Sequence, residues 1–262
     1  ATASLQQSGW EILPSQLDDC LLDRLGETAF QEGVAGTRCL LDAPLVADAA
    51  QRILLRLIVT SENAVAIQAI AFDKTPAANW KVSWHQDVMF PFSQPMKGAG
   101  FELSSVKDGI DYPRPPRHVL ESLLAARLHI DDCHSGNGPL RVSPGTHLQG
   151  ILRGGEVQEL VARHGQVECV ARRGELLLMK PLLLHASSQA QSPSRRRVLH
   201  FVFHEMPEML CHGIERSEKF DPLTKGKHRE QFGLSPDRPS EADGEEPVFC
   251  ADRAGTWGLP GC

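Results

Sequence analysis

The sequence has no excess of positive charge and few aromatic side chains. Its 262 residues include 27 Lys and Arg against 33 Asp and Glu, a formal net charge of −6, and aromatic residues make up 6%, with a single Tyr. Proteins that bind nucleic acid usually present a basic surface to the phosphates and aromatic rings to the bases. The composition therefore predicts no nucleic-acid partner.

The cysteines are too scattered to indicate a disulfide framework or a structural zinc site. The seven lie between Cys20 and Cys262 and include no C-x-x-C pair. No run approaches the roughly 18 apolar residues that a membrane-spanning helix needs, and the first residues lack the basic and apolar regions of a signal peptide. We therefore expect a cytoplasmic protein with no membrane partner.

The pattern of apolar residues changes at Ala64. Before it, helical spacing predicts amphipathic helices near 17–25 and from about 44 onward, with a strand at 38–41 between them. After it, short apolar runs alternate with Gly and Pro, which is typical of a sheet. Eight strands are predicted, about the number that a jelly roll requires, at 64–73, 81–87, 123–131, 139–143, 167–172, 175–180, 182–188 and 196–204.

One main domain is expected over residues 1–205, with its helices in about 1–63. The Pro- and Gly-rich segment at about 88–118 is too long for a hairpin loop, and we expect a lid-like insertion there. The last residues, 206–262, contain a stretch rich in Pro, Ser and acidic residues. This composition predicts a C-terminal extension that is partly irregular or disordered.

The sharpest local signal is a His-x-Asp pair at the end of a predicted strand. Because successive side chains of a strand point to opposite faces, His85 and Asp87 share one face and Gln86 lies on the other. An imidazole and a carboxylate thus converge without a special turn. Alone, such a pair is more often a simple hydrogen-bonded pair than a metal site.

A second histidine, His185, ends the apolar run ELLLMKPLLLH. Two His and one carboxylate form the facial triad of non-haem Fe(II) oxygenases, which leaves three coordination positions open. The alternative for His185 is a core histidine at a strand end.

An arginine run, Arg195 to Arg197, begins the last predicted strand. Strand alternation sends Arg196 to the face opposite its two neighbours. A buried guanidinium needs an anion, and a carboxylate is its best-matched partner. A dicarboxylate cosubstrate would supply one, whereas a solvated charge cluster is the alternative for a generic run.

Four ordered motifs together carry a family resemblance. They are WHQD at 84–87, NGPLRVSPGTH at 137–147, GELLLMKPLLLHASS at 174–188 and RRVLHFVF at 196–203. Over roughly residues 8–205 the chain resembles the phytanoyl-CoA dioxygenase family of Fe(II)/2-oxoglutarate oxygenases, and bacterial members in particular. The resemblance implies a mainly β fold with flanking helices, a double-stranded β-helix (jelly roll, cupin-like) with iron at its open end.

The same resemblance implies the residues of the site. His85, Asp87 and His185 would be the iron ligands and the catalytic centre. Arg196 matches the arginine that binds the distal carboxylate of 2-oxoglutarate, and Ser187 matches a hydroxyl that helps to hold this cosubstrate.

Three further positions are expected near the cosubstrate by the same resemblance. Arg127 stands where characterised members have Trp, and Ile70 stands where they have Met. Arg38 lies where relatives place a basic residue, in the strand predicted at 38–41.

The implied reaction uses Fe(II), 2-oxoglutarate and O2 to hydroxylate an unactivated C–H bond of a small-molecule substrate, with release of succinate and CO2. Hydroxylation is favoured over halogenation because Asp87 keeps the carboxylate, so no coordination position is freed for chloride. Two alternatives stay open: a cupin-like metalloprotein that does not use 2-oxoglutarate, and a non-catalytic jelly-roll binding protein.

Overall fold

The structure is a computed structural model. It describes residues 2–14, 17–57, 64–91, 100–107, 110–192 and 194–204. The predicted C-terminal extension, 206–262, lies outside the described residues, as do 92–99 and 108–109 of the predicted insertion. None of the described helices is long and apolar enough to cross a membrane.

The described residues form five α-helices and twelve β-strands. The helices are α1 Ala3–Ser8, α2 Asp19–Thr28, α3 Pro44–Arg56, α4 Arg117–Ser122 and α5 Val157–His164. The strands are β1 Trp10–Leu13, β2 Gly36–Thr37, β3 Val65–Lys74, β4 Val82–His85, β5 Glu102–Lys107, β6 Ile110–Arg114, β7 Leu123–His129, β8 Leu140–Val142, β9 Val167–Cys169, β10 Leu176–Met179, β11 His185–Ser187 and β12 Arg196–His204.

Two antiparallel sheets form the body of the domain. The larger has the strand order β1-β10-β7-β12-β3-β2, and the smaller has the order β4-β11-β8-β9. Buried apolar side chains of both sheets, from Ala125, Leu140, Val142, Leu177 and Met179, pack together in one cluster. This is a jelly roll, so the predicted mainly β, double-stranded β-helix fold with flanking helices is confirmed.

Two segments between the predicted elements differ from expectation. The strand predicted at 38–41 is wrong, because Cys39 has a φ of 61° and Leu40–Asp42 forms a short 3-10 turn. A left-handed residue interrupts the extended backbone that a strand requires. The predicted insertion at about 88–118 contains a hairpin of β5 and β6, where the sequence showed no regular pattern.

Helices α2 and α3 cover the outer face of the larger sheet. The Asp18 side chain caps the start of α2 by accepting a hydrogen bond from the Leu21 backbone N–H, at 2.9 Å. The core beneath the helices includes Leu22 of α2, Ile53 of α3 and Phe201 of β12. Alternate residues of β12 therefore face outward into this core, and the residues between them face inward.

The inner face of the larger sheet presents its side chains in cross-strand rows. Arg196 lies opposite Lys74 in one row, and His200 lies opposite both Ile70 and Arg127 in another. All five side chains are on the side of the sheet away from the helices. The antiparallel register thus sets cationic and imidazole side chains along one wall of the interior.

Candidate metal centre

The two histidines of the candidate triad lie on neighbouring strands. His85 ends β4 and His185 begins β11, and the antiparallel register places them directly opposite each other. Their ring centroids are 4.1 Å apart and the ring planes are tilted by 52°. Asp87 follows β4, where its backbone N–H donates to the Pro181 carbonyl at 2.9 Å. Pairing of two strands therefore brings together residues that are a hundred positions apart.

The three side chains converge on one point. His85 Nε2 is 3.6 Å from Asp87 Oδ1, and His185 Nε2 is 3.5 Å from Asp87 Oδ2. The three candidate ligand atoms all lie within 4.8 Å of one another. Within the described part of the chain, this is the one such group of His, Cys, Asp or Glu close enough to hold a metal ion. Two His and one carboxylate are the donor set typical of non-haem Fe(II) oxygenases.

The backbone fixes which nitrogen of each ring is available. His85 Nδ1 is 2.8 Å from the Ser83 carbonyl oxygen, and His185 Nδ1 is 2.9 Å from that of Leu183. A carbonyl only accepts hydrogen bonds, so in both rings Nδ1 carries a proton and donates it, and when the ring is neutral Nε2 carries none. Each Nε2 then offers its lone pair toward the other triad members, as a metal ligand must.

The charges of the triad suit a divalent cation. Partial burial opposes ionisation of Asp87, but His185 and His85 outweigh it and lower the pKa of the carboxyl well below its usual range. Burial, with a contribution from His85, lowers the pKa of His185 to about 4. Asp87 is thus ionised and His185 neutral near pH 7, the forms that bind metals.

Gln86 points away from the triad and joins two loops. Its side-chain amide donates to the carbonyls of Gly150 and Leu182, at 2.7 Å each, and accepts from the Leu152 backbone N–H at 2.9 Å. These contacts hold the chain that carries His85 and Asp87 against its surroundings. Sequence alternation indicated the direction of Gln86 but gave no sign of this role.

Arg196 points into the interior, as strand alternation predicts. It is 5% exposed, and its Nη1 donates to the Gly138 carbonyl at 2.7 Å and lies 3.7 Å from Cys133 Sγ. Its buried Nε has no hydrogen-bond partner among the described residues. Ser187 is buried at the same end of the interior, two residues after His185.

Arg127 and Ile70 lie one on each side of His200 on the inner wall. Arg127 Nη1 donates to His200 Nδ1 at 3.3 Å. Burial, and then the charge of Arg196, lower the pKa of Arg127 to about 10. Burial, and then Arg127, likewise hold the pKa of both His200 and His129 at about 3. These two imidazoles are therefore neutral, and they give Arg127 no counter-charge.

Arg38 lies apart from these residues in the sheet order. It follows β2, the edge strand of the larger sheet, whereas Arg127 and Arg196 lie on the more central β7 and β12. Its assignment to the cosubstrate stays a prediction.

Lys74 is a buried residue that the sequence analysis did not single out. Its Nζ donates to the Ser188 carbonyl at 2.8 Å and lies 3.4 Å from Ser187 Oγ. Burial, and then the charge of Arg196, lower the pKa of Lys74 to about 7. The predicted strand ended at 73, whereas β3 continues to Lys74, which lies four residues after Ile70 and therefore on the same face.

Comparisons with known proteins agree with this geometry. The sequence profile of the phytanoyl-CoA dioxygenase family matches residues 29–198. No curated protein matches the chain in sequence. Three similar solved structures have sequence identities of only 14 to 18% to this chain, so they bear on the fold alone.

The first is EctD from S. alaskensis with 2-oxoglutarate and 5-hydroxyectoine, with a TM-score of 0.55 and 18% identity, covering 77% of this chain and 74% of that one. HygX from Streptomyces hygroscopicus with nickel and 2-oxoglutarate has a TM-score of 0.52 and 14% identity, covering 76% and 84%. The non-haem alpha-ketoglutarate-dependent epimerase SnoN from nogalamycin biosynthesis has a TM-score of 0.54 and 17% identity, covering 77% and 79%.

Proposed function

The chain belongs to the phytanoyl-CoA dioxygenase family, and we propose that it is an Fe(II)- and 2-oxoglutarate-dependent dioxygenase that hydroxylates a C–H bond of a small-molecule substrate. One observation carries the proposal. His85, Asp87 and His185 converge on one point, and Arg196 is buried inside the same barrel with a polar group that lacks a partner. The first feature is suited to iron and the second to a carboxylate.

The triad fits a ferrous ion by the chemistry of its donors. His85 and His185 would each offer Nε2, and Asp87 would offer one carboxylate oxygen. A ferrous ion so held would leave open positions for the cosubstrate and O2, and when bound it would let O2, as the oxidant, couple loss of CO2 from 2-oxoglutarate to hydroxylation of the substrate. EctD and HygX, which share the fold, were crystallised with 2-oxoglutarate.

The cosubstrate site is proposed on the inner wall of the larger sheet. Arg196 would bind the distal carboxylate of 2-oxoglutarate, with Ser187 donating its hydroxyl. Arg127 and Ile70 would contact the cosubstrate from the row that carries His200, and Arg38 would do so from beyond β2. An inward guanidinium favours an oxoacid cosubstrate over a cupin-like metalloprotein that lacks one.

The outcome proposed for the oxidation is hydroxylation of the substrate. SnoN, of the same fold, is an epimerase, so the fold alone does not set the outcome. Asp87 keeps a ligating carboxylate here, which argues against halogenation. Val142 is fully buried and lies directly opposite His185 in the strand register, so the triad has an apolar neighbour on that side.

The domain organisation is proposed along the same lines. Residues 1–205 would form the oxygenase domain, and 88–118 would act as a lid over its open end. Phe90 is buried with Val119, Leu120 and Leu182, so the first part of this segment is anchored to the barrel. The cytoplasmic location and the extension at 206–262 stay predictions.

The test is an anaerobic titration of the metal-free protein with Fe(II) and then 2-oxoglutarate. We expect one iron per chain and the visible charge-transfer band of an iron–2-oxoglutarate complex. Iron binding without the band would indicate a metalloprotein that does not use 2-oxoglutarate, and failure to bind iron would indicate a non-catalytic protein. A succinate-release screen against a metabolite library would then identify the substrate.

A further inference from the structure

We propose that Lys74 is a second cation of the cosubstrate site, which binds the distal carboxylate of 2-oxoglutarate together with Arg196 and makes the site selective for a dicarboxylate. The inference rests on the proposed function, and nothing in the sequence motifs assigned it. Lys74 is fully buried, with 0% exposure. It ends β3 at the position directly opposite Arg196 of β12.

Two buried cations face the same space without a counter-charge. Like charges directly opposite each other in a sheet are destabilising, and a buried charge normally has an ionic partner. Among the described residues, neither Lys74 nor Arg196 forms an ion pair with a carboxylate. The nearest carboxylate in sequence, Asp73, points to the outer face and bonds Arg195. The two cations therefore need an anion, and the described residues do not provide one.

The hydrogen-bonding groups of the two side chains are only partly used. A lysine ammonium has three donors, and Lys74 donates two hydrogen bonds, to the Ser188 carbonyl and to the Ser187 hydroxyl. Arg196 donates from Nη1 to the Gly138 carbonyl, while its buried Nε has no hydrogen-bond partner among the described residues. Donors thus remain for the two oxygens of one carboxylate, which accept several hydrogen bonds.

A glycine lets the backbone approach the Lys74 ammonium closely. Gly138 has a φ of +63°, and a Cβ there would lie 3.1 Å from Lys74 Nζ and 2.6 Å from the Ser188 carbonyl oxygen. On another side, Lys74 Nζ is 5.3 Å from the centre of the Trp80 ring. The ammonium is thus in contact with polar atoms and with the face of an aromatic ring.

The position of Lys74 between Arg196 and Ser187 defines its role. The family resemblance assigns the Ser187 hydroxyl to the cosubstrate and the Arg196 guanidinium to its distal carboxylate. Lys74 Nζ lies 3.4 Å from Ser187 Oγ, and Lys74 is the partner of Arg196 in the register of β3 and β12. A carboxylate that reached both would also meet the ammonium, and it would relieve the repulsion between the two cations.

The experiment compares two ligands that differ only at the far end. Calorimetry under anaerobic conditions would measure the affinity of the Fe(II)-loaded protein for 2-oxoglutarate and for 2-oxovalerate, which has the same five-carbon chain without the distal carboxylate. In Lys74→Met we expect affinity for 2-oxoglutarate to fall by about 10- to 100-fold, since a hydrogen bond to a charged group is lost. Affinity for 2-oxovalerate should stay within about twofold of wild type, or rise, as one buried cation is removed.

Two further variants make the result specific. Lys74→Arg keeps the charge and should recover part of the lost affinity for 2-oxoglutarate. Lys81→Met removes an exposed lysine from the neighbouring loop and should change neither affinity. If Lys74→Met does not fold, Lys74→Gln takes its place, because an amide can still donate to the Ser188 carbonyl.

The outcomes separate the inference from the function on which it rests. Equal losses for both ligands in the Lys74 variants, or no loss for either, would overturn the role of Lys74 and leave the oxygenase proposal standing. If the wild-type protein binds iron but neither oxoacid, the oxygenase proposal itself fails.

Discussion

The two faces of the larger sheet treat neighbouring cations in opposite ways. On the outer face, Arg195 lies 2.8 Å from Asp73, and Arg197 lies 2.7 Å from Asp131. On the inner face, Arg196 and Lys74 are buried opposite each other, and neither has a carboxylate partner among the described residues. These residues are adjacent in sequence, so strand alternation alone separates the two environments.

The difference teaches how to distinguish a structural cation from a binding one. An arginine whose carboxylate partner is supplied by the fold, as for Arg195 and Arg197, needs no further anion. A buried cation without a partner costs stability until an anion arrives. The inner face therefore favours binding of an anionic ligand, whereas the arginines of the outer face already have carboxylate partners.

The largest effect is expected at the triad, because the cosubstrate proposed to bind at the inner face would also bind the metal that the triad holds. His185→Ala removes a ligand atom and should abolish both stoichiometric iron binding and succinate release. Metal analysis and a succinate assay check this. A matched change at a buried histidine outside the triad, His147→Ala, should leave iron content intact; equal iron loss in both variants would mean that the triad is not the site.

The next effect separates the two faces directly. Arg196→Met should raise the KM for 2-oxoglutarate on the order of 100-fold, because truncating one member of a buried charge pair costs several kcal/mol. Arg195→Met, one residue earlier on the outer face, should leave this KM unchanged. Steady-state succinate assays across a range of cosubstrate concentrations measure both. An unchanged KM in Arg196→Met would remove the basis of the comparison.

A smaller effect concerns stability and pH. The pKa of Lys74 is about 7 in the folded protein against an ordinary 10.5, so between these values the unfolded chain binds the extra proton. Wild-type stability should therefore rise with pH from about 7 to 10.5 relative to Lys74→Met, by at most about 1.4 kcal/mol per pH unit. Denaturant unfolding of the metal-free proteins at several pH values measures the slope, and parallel curves would contradict the lowered pKa.

The smallest effect belongs to the outer face. Arg195 is about half exposed but Asp73 is buried, so the two are replaced together: Asp73→Asn with Arg195→Met leaves no buried charge unpaired and should lower the free energy of unfolding by roughly 1 kcal/mol or less. High salt should shrink the difference further, since it screens exposed charges. Unfolding curves at low and high salt provide the measurement. A loss of several kcal/mol would show that this pair is as important to the molecule as its inner counterparts.

Much of the architecture was predictable because it depends on local patterns. Each of the eight predicted strands has a counterpart in the structure, and alternation correctly turned Arg196 away from Arg195 and Arg197. His85 and Asp87 could be placed on one face for the same reason. The approach of His185, by contrast, came from motif resemblance, because strand pairing between distant segments leaves no local trace.

The failures share a physical cause. The run at 38–41 is apolar enough for a strand, but a left-handed Cys39 ends the extended backbone, and composition does not reveal a single dihedral angle. Lys74 and Gln86 were overlooked because their roles depend on partners far away in sequence, such as Ser188 and Gly150. Roles of this kind become visible only when the sheet register is known.

The hydrogen bonds of the two triad imidazoles have a consequence for mutational tolerance. Their acceptors are the main-chain oxygens of Ser83 and Leu183, which every amino acid possesses. Substituting either side chain leaves the acceptor in place, so the protonation pattern of both rings should survive any exchange at those two positions that keeps the fold intact, although Leu183 is buried in the core. Only an altered chain path, such as a deletion within β4, would free the rings to rotate.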